Sequence, residues 1–315
     1  MLKNREDVWK FLNSIDDDAK DSFLPLGAQD DTTPAKAELS HLTKTIADNL
    51  PVVKSMVAAC SHLPLYVGYS NALGENKGCY INNAILLENS DDLGHSFIQD
   101  YVHELTHIDQ DRRGLLRYGA NPPNARHMVD YLQHNMVLEA AAHANDVIAL
   151  YYFSQYSDAR TKNEDVDNLF GDFCAEDPEN AKLLPIIKDS MKHKKPANFY
   201  EMKPAWQAVF QNFFHPDSFL LTDYLKYYLD QYMQKKTSPD PQLPCPRSWG
   251  QEREILAITT MPGWGPVFDP AVISVLRRQI MASILQEKHM GMIELFRNQA
   301  LRLEKPQAAP KWNLG

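Results

Sequence analysis

Apolar positions recur at helical spacing along most of this chain and at strand-like density in one short stretch. Residues 1–23 predict a short amphipathic helix, with Val8, Trp9, Phe11, Leu12 and Ile15 clustered. Thr33 followed by Pro34 is an N-cap and first-turn proline pair, which predicts a helix as far as Leu50. Pro51 begins or kinks a second helical stretch, Val52 to His62. The pattern then changes. Leu65–Ser70 and Cys79–Leu87 read as strands, and the turn-rich Asn71–Gly78 between them predicts a β-hairpin. Two strands alone are marginal, so the hairpin is expected to pack on helices or to gain a third strand.

Ser90, Asp91 and Asp92 supply N-cap candidates for the next helix, on which Phe97, Tyr101, Leu105 and Ile108 form an apolar face widened by Ile98 and Val102. Arg112 and Arg113 suit its last turn, and Gly114 the position after it. Asn121–Asn124 is a turn, and a long helix follows from about Ala125 to Tyr152. Leu132, Met136, Glu139, His143, Asp146 and Leu150 share one of its faces. A polar run to Asp167 precedes helices over 179–192, 202–214 and 218–234, and Asp269-Pro270 opens a final one to about Leu303. These elements predict a mostly helical α+β protein with a small hairpin or sheet. The expected division is a half over 1–160 and a helical half over 161–315, with a further possible boundary at the proline-rich 237–246 and a tail over 305–315.

Composition narrows the class of function. The chain has 315 residues, 44% hydrophobic and 23% charged, as expected of a globular protein with a full core. A net charge of −9 and the lack of a basic stripe argue against a nucleic-acid partner; the one dense basic run, Lys192-His193-Lys194-Lys195, reads as a helix C-terminus. No apolar run approaches the ~20 residues of a membrane span, and the charged N-terminus lacks the apolar core of a signal peptide, so a cytoplasmic location is the expectation. Cys60, Cys79, Cys174 and Cys245 are widely spaced and are expected as reduced thiols.

One stretch carries chemistry: Tyr101-Val102-His103-Glu104-Leu105-Thr106-His107. Two His four residues apart on a helix project from one face, so both imidazoles can reach one metal ion, and the Glu beside them can hold a water. Downstream, Leu138-Glu139-Ala140-Ala141-Ala142-His143-Ala144 surrounds a carboxylate with small residues that let a second helix approach closely. A Zn2+ site is the reading this placement supports.

His103-Glu104-x-x-His107 followed by Glu139 on a second helix resembles the gluzincin class of zinc metallopeptidases, over about residues 63–150. The resemblance implies a zincin-like core, zinc bound by His103, His107 and Glu139, Glu104 as general base, and a peptide or protein substrate. It also implies an edge strand pairing with extended substrate, for which Tyr80, Asn82 and Ala84 are candidates. The chain departs from the class in two places. The interval from His107 to Glu139 is longer than in the thermolysin-like branch, and His143 stands where several such families place an Asp that orients a zinc-binding His; His143 and Asp146 are the alternatives for that role. Gln110 and Arg113 occupy the Gly and third-His positions of the extended metzincin motif, which argues against that class. His127, His134 and His143 are the rival third ligands, and His215, Tyr224, Tyr227 and Tyr131 are open candidates for stabilising an oxyanion. A zincin-fold binding protein without turnover and a hydrolase of a non-peptide amide are the rival functions.

Overall fold

The computed structural model describes residues 22–63, 65–70, 73, 78–81, 83–88, 94–116, 122–157, 168–192, 194–238 and 250–304. The expected helix over 1–23, the N-cap candidates Ser90–Asp92, most of the proline-rich loop and the 305–315 tail therefore lie wholly or largely outside the described residues.

Among the described residues helices dominate, and the strands form one small mixed sheet and one two-stranded ribbon. In chain order the first elements are β1 (Leu24–Pro25), α1 (Pro34–Asn49), α2 (Pro51–Cys60), β2 (Tyr66–Tyr69), β3 (Gly78–Ile81), β4 (Ala84–Leu87) and α3 (His95–Arg112). The long α4 (Met128–Tyr156) follows, then α5 (Leu169–Glu176), α6 (Pro178–Ala181), α7 (Leu183–Ser190), α8 (Lys203–Phe213) and α9 (Phe219–Thr237). The last elements are α10 (Glu252–Ile258), β5 (Thr260–Met261), β6 (Gly265–Pro266), α11 (Ile273–Ile284) and α12 (Glu287–Glu304). Thr33 caps α1 as its sequence predicts, its side chain accepting from the Lys36 N–H at 3.2 Å.

The expected hairpin is replaced by a different topology. The predicted strand Cys79–Leu87 is itself a tight hairpin, β3 and β4, because Asn83 takes a left-handed φ of 68° that Asn tolerates better than most residues. Instead of forming a hairpin with it, β2 pairs with β4 in parallel, and β1 adds a fourth strand, giving the order β1-β2-β4-β3. β4, Ala-Ile-Leu-Leu, is buried throughout, as a central strand covered on both faces should be. Among the described residues, β3 stands at the edge beyond it.

The expected final helix to Leu303 is broken into α11 and α12 around Leu285 and Gln286. Contacts group the described residues of Met1–Leu116, Ala140–Phe210 and Thr260–Val267 into one unit, and those of Arg117–Glu139, Gln211–Thr259 and Phe268–Gly315 into another. The units interleave along the chain, and the division expected near residue 160 is not where they part. α4 runs through both without interruption, so Glu139 is carried on the same rod as His143 and Asp146. In the first unit the sheet and α1–α3 bury Leu39, Ile46, Met56, Val67, Ile85 and Ile98. The second has an aromatic core in which Tyr131 packs edge-on against Tyr228 and Tyr232.

Candidate metal centre

α3 is fixed by the face its sequence predicts: Phe97, Ile98, Tyr101, Val102, Leu105 and Ile108 are all buried. Gly114, at φ 70°, takes the left-handed conformation that ends the helix, without a Cβ penalty. The rows left over carry the polar residues. His103 and His107 stand one turn apart, and their Nε2 atoms are 3.2 Å from each other.

The other nitrogen of each ring is engaged. His103 Nδ1 lies 2.8 Å from Asp146 Oδ2, and His107 Nδ1 lies 2.8 Å from Gln110 Oε1. A carboxylate and an amide oxygen only accept, so each Nδ1 is the donor, and in the neutral imidazole that a metal binds the lone pair is then on Nε2. With the two Nε2 atoms 3.2 Å apart, one electrophile can bond to both. Tetrahedral zinc with Zn–N bonds of about 2.0–2.1 Å would space two ligand atoms about 3.3–3.4 Å apart. The pair matches that edge closely.

Glu139 joins them. One ligand atom from each of His103, His107 and Glu139 lies within 4.8 Å of the others, and among the described residues no other group of three or more His, Cys, Asp or Glu meets in this way. Two neutral imidazoles and one carboxylate fit a divalent metal and leave coordination positions open; the described thiols do not join the group. The Glu139 carboxylate also accepts a hydrogen bond from the Tyr228 hydroxyl, in a setting where both residues are buried. Sequence reasoning passed over Tyr228, which is 89 residues away, and named its neighbours Tyr224 and Tyr227 instead.

Between His143 and Asp146, the alternatives for orienting a histidine, Asp146 holds the position against His103. Asp146 stands two turns along α4 from Glu139, so the two carboxylates share a face. His143, half-buried, has Nδ1 3.7 Å from the second oxygen of Asp146, beyond direct hydrogen-bond range. Gln110 supports His107 from one turn along its own helix, a role that its i+3 spacing could have signalled.

Glu104 is buried on α3 beside the edge strand. A Cβ on Gly78 would stand 3.0 Å from Asp100 Cβ and 3.4 Å from Glu104 Cγ, so glycine lets β3 lie directly along this face of α3. Cys79 follows on that strand; burial, and secondarily the Glu104 carboxylate, pushes its thiol up to about 11. Tyr80 turns to α3 and donates to Asp111 Oδ2 at 2.8 Å, and burial raises the pKa of both groups, disfavouring their charged forms. Ala84, expected on the substrate-pairing edge, falls instead in central β4, paired with Tyr66 on one side and Ile81 on the other. Asn82 lies outside the described residues.

The rival ligands sit elsewhere. His127 is exposed with Asp130 at 3.3 Å, and His134 is fully buried with Glu254 at 3.6 Å. Of the oxyanion candidates, His215 and Tyr227 are exposed, Tyr224 is half-buried and tilted against Phe213, and Tyr131 lies in the aromatic core. The Met261–Gly265 turn joins β5 to β6 and stacks Trp264 on Phe199 at 5.2 Å.

Among the described residues, no helix is long and apolar enough to cross a membrane. Comparison of the chain with family models, curated proteins and solved structures finds no match in any of the three.

Proposed function

We propose that this chain is a zinc-dependent metallopeptidase on a zincin-like core, cleaving peptide bonds in peptide or protein substrates. His103, His107 and Glu139 are its zinc ligands and Glu104 its general base. The observation that carries the reading is the convergence of two Nε2 atoms at 3.2 Å with the Glu139 carboxylate alongside. Zinc bound there would supply Lewis acidity, polarising a carbonyl and lowering the pKa of water. Asp146 and Gln110 hold the imidazoles in the ligating tautomer. Tyr228 fixes the direction of the Glu139 carboxylate. Glu104, on the same turn as the two histidines, takes the proton of the attacking water and delivers it to the departing amine. Edge strand β3, running along α3 beside Glu104, offers main-chain donors and acceptors for an extended peptide, which favours a peptide over other amides.

The test is metal analysis of the purified protein after controlled zinc loading, followed by hydrolysis of a quenched-fluorescence peptide library. One zinc per chain is expected. Glu104→Gln should keep the zinc and lower hydrolysis by about 10²–10⁴-fold. Zinc without turnover of any peptide would favour the silent binding protein or the non-peptide amidase, and no stoichiometric zinc would overturn the proposal.

A further inference from the structure

Besides the His103–Asp146 contact, α3 and α4 meet through a second pair of polar residues, both buried, and each of these directly precedes a residue of the site. Thr106 stands before His107, and Asn145 before Asp146. Asn145 Nδ2 donates to Thr106 Oγ1 at 3.0 Å, and that hydroxyl donates in turn to the Val102 carbonyl at 2.8 Å. Asn145 Oδ1 accepts from Trp206 Nε1 on α8 at 2.6 Å, and Met261 Sδ lies 3.6 Å from its Nδ2. Thr106, Asn145, Trp206 and Met261 are at most 3% exposed. Around Asn145 this part of α4 is otherwise rich in small buried residues, Ala141, Ala142 and Ala144. Packing of that kind resists separation of the helices but resists sliding poorly, whereas a buried amide with defined partners has one register in which it is satisfied.

We infer that Thr106 and Asn145 are positioning residues that set the register of α3 against α4, bringing His103 to Asp146 and the two histidines to Glu139. The inference rests on the metal reading above. A slip of one residue moves a helix by about 1.5 Å and turns its face by about 100°, while metal–ligand distances hold within about 0.2 Å. The Thr106–Asn145 bond is placed to prevent such a slip, because it joins the helices one residue from His107 on one side and one from Asp146 on the other. Asn145 is itself held against rotation by Trp206.

The experiment compares Thr106→Val, which keeps the shape and removes the acceptor, with Thr106→Ser, which keeps the hydroxyl. Zinc affinity is measured by competition with a chromophoric chelator, the Co2+ spectrum reports ligand geometry, and thermal unfolding of the metal-free protein reports stability. Thr106→Val should weaken zinc by about 10-fold or more, the scale of outer-shell substitutions, and alter the Co2+ spectrum. Thr106→Ser should match the unsubstituted protein in both. Trp206→Phe, which loosens only the far side of Asn145, should shift zinc affinity in the same direction by less, and it serves if Thr106→Val fails to fold. A Thr106→Val protein that melts lower but binds zinc and Co2+ unchanged would overturn the inference alone. Absence of zinc binding by the unsubstituted protein would overturn the metal reading and this inference with it.

Discussion

Two histidines, His103 half-buried and His134 fully buried, each lie beside a carboxylate, and they differ in what surrounds the rest of the ring. His103 has Asp146 at 2.8 Å, and its Nε2 faces His107 Nε2 at 3.2 Å with Glu139 beside them. His134 has Glu254 at 3.6 Å, but that carboxylate also accepts from the Gln251 N–H as half of a capping box at the start of α10, and among the described residues no cluster of three ligand atoms includes His134. A buried His–carboxylate pair is therefore not by itself a metal site. What separates the two is convergence of further ligand atoms, which the pairing of α3 with α4 supplies.

The largest expected difference comes from deleting each histidine. His103→Ala should lose stoichiometric zinc and all hydrolysis above background, measured by metal analysis and peptide assay. His134→Leu should keep both and cost about 1–3 kcal/mol of unfolding free energy, because it removes a buried polar partner. Zinc loss in His134→Leu at a temperature where it stays folded would break the comparison.

Within the site, the two supports should rank by charge. Asp146→Asn keeps an acceptor near His103 but removes the anion, and chelator competition should find zinc about 10–100-fold weaker. Gln110→Ala removes a neutral partner from His107, and its effect should sit near the lower end of that range, about tenfold. The reverse order would mean that His107, not His103, depends more on its backing group.

The smallest effect is expected at Cys79. Its thiol is raised from an ordinary 9.0 to about 11, so it is protonated in both folded and unfolded chains below pH 9. Above that the unfolded chain loses the proton first, and the stabilisation associated with Cys79 is lost as pH rises from 9 towards 11. Cys79→Ala should flatten this part of the denaturation profile. In Glu104→Gln, thiolate absorbance should appear at lower pH, because the carboxylate beside Cys79 no longer opposes ionisation.

Much of the local structure was legible in the chain. Thr33 and Pro34 mark the start of α1, Gly114 marks the stop after α3, and the apolar face of α3 is buried as its periodicity predicts. Helical spacing puts His103 and His107 on one face and Asp146 on the same face as Glu139, while Glu139 itself was named from its Ala-rich helix and the gluzincin resemblance. The sheet was harder. Cys79–Leu87 is apolar enough to pass for one strand, and the left-handed Asn83 that divides it leaves no trace in periodicity. Tyr228, Gln110 and the Thr106–Asn145 bond depend on which side chains meet after folding, and hydropathy gives them no signal. Ala84 was misplaced for the same reason: edge or centre is decided by pairing, and β2 claims β4 from a distance along the chain.

The most direct test of the central claim is diffraction from zinc-loaded crystals on both sides of the zinc absorption edge. An anomalous peak bonded at about 2.0–2.2 Å to His103 Nε2, His107 Nε2 and a Glu139 carboxylate oxygen is expected. A peak on other residues, or none at this triad in protein that has been offered one equivalent of zinc, would contradict the account.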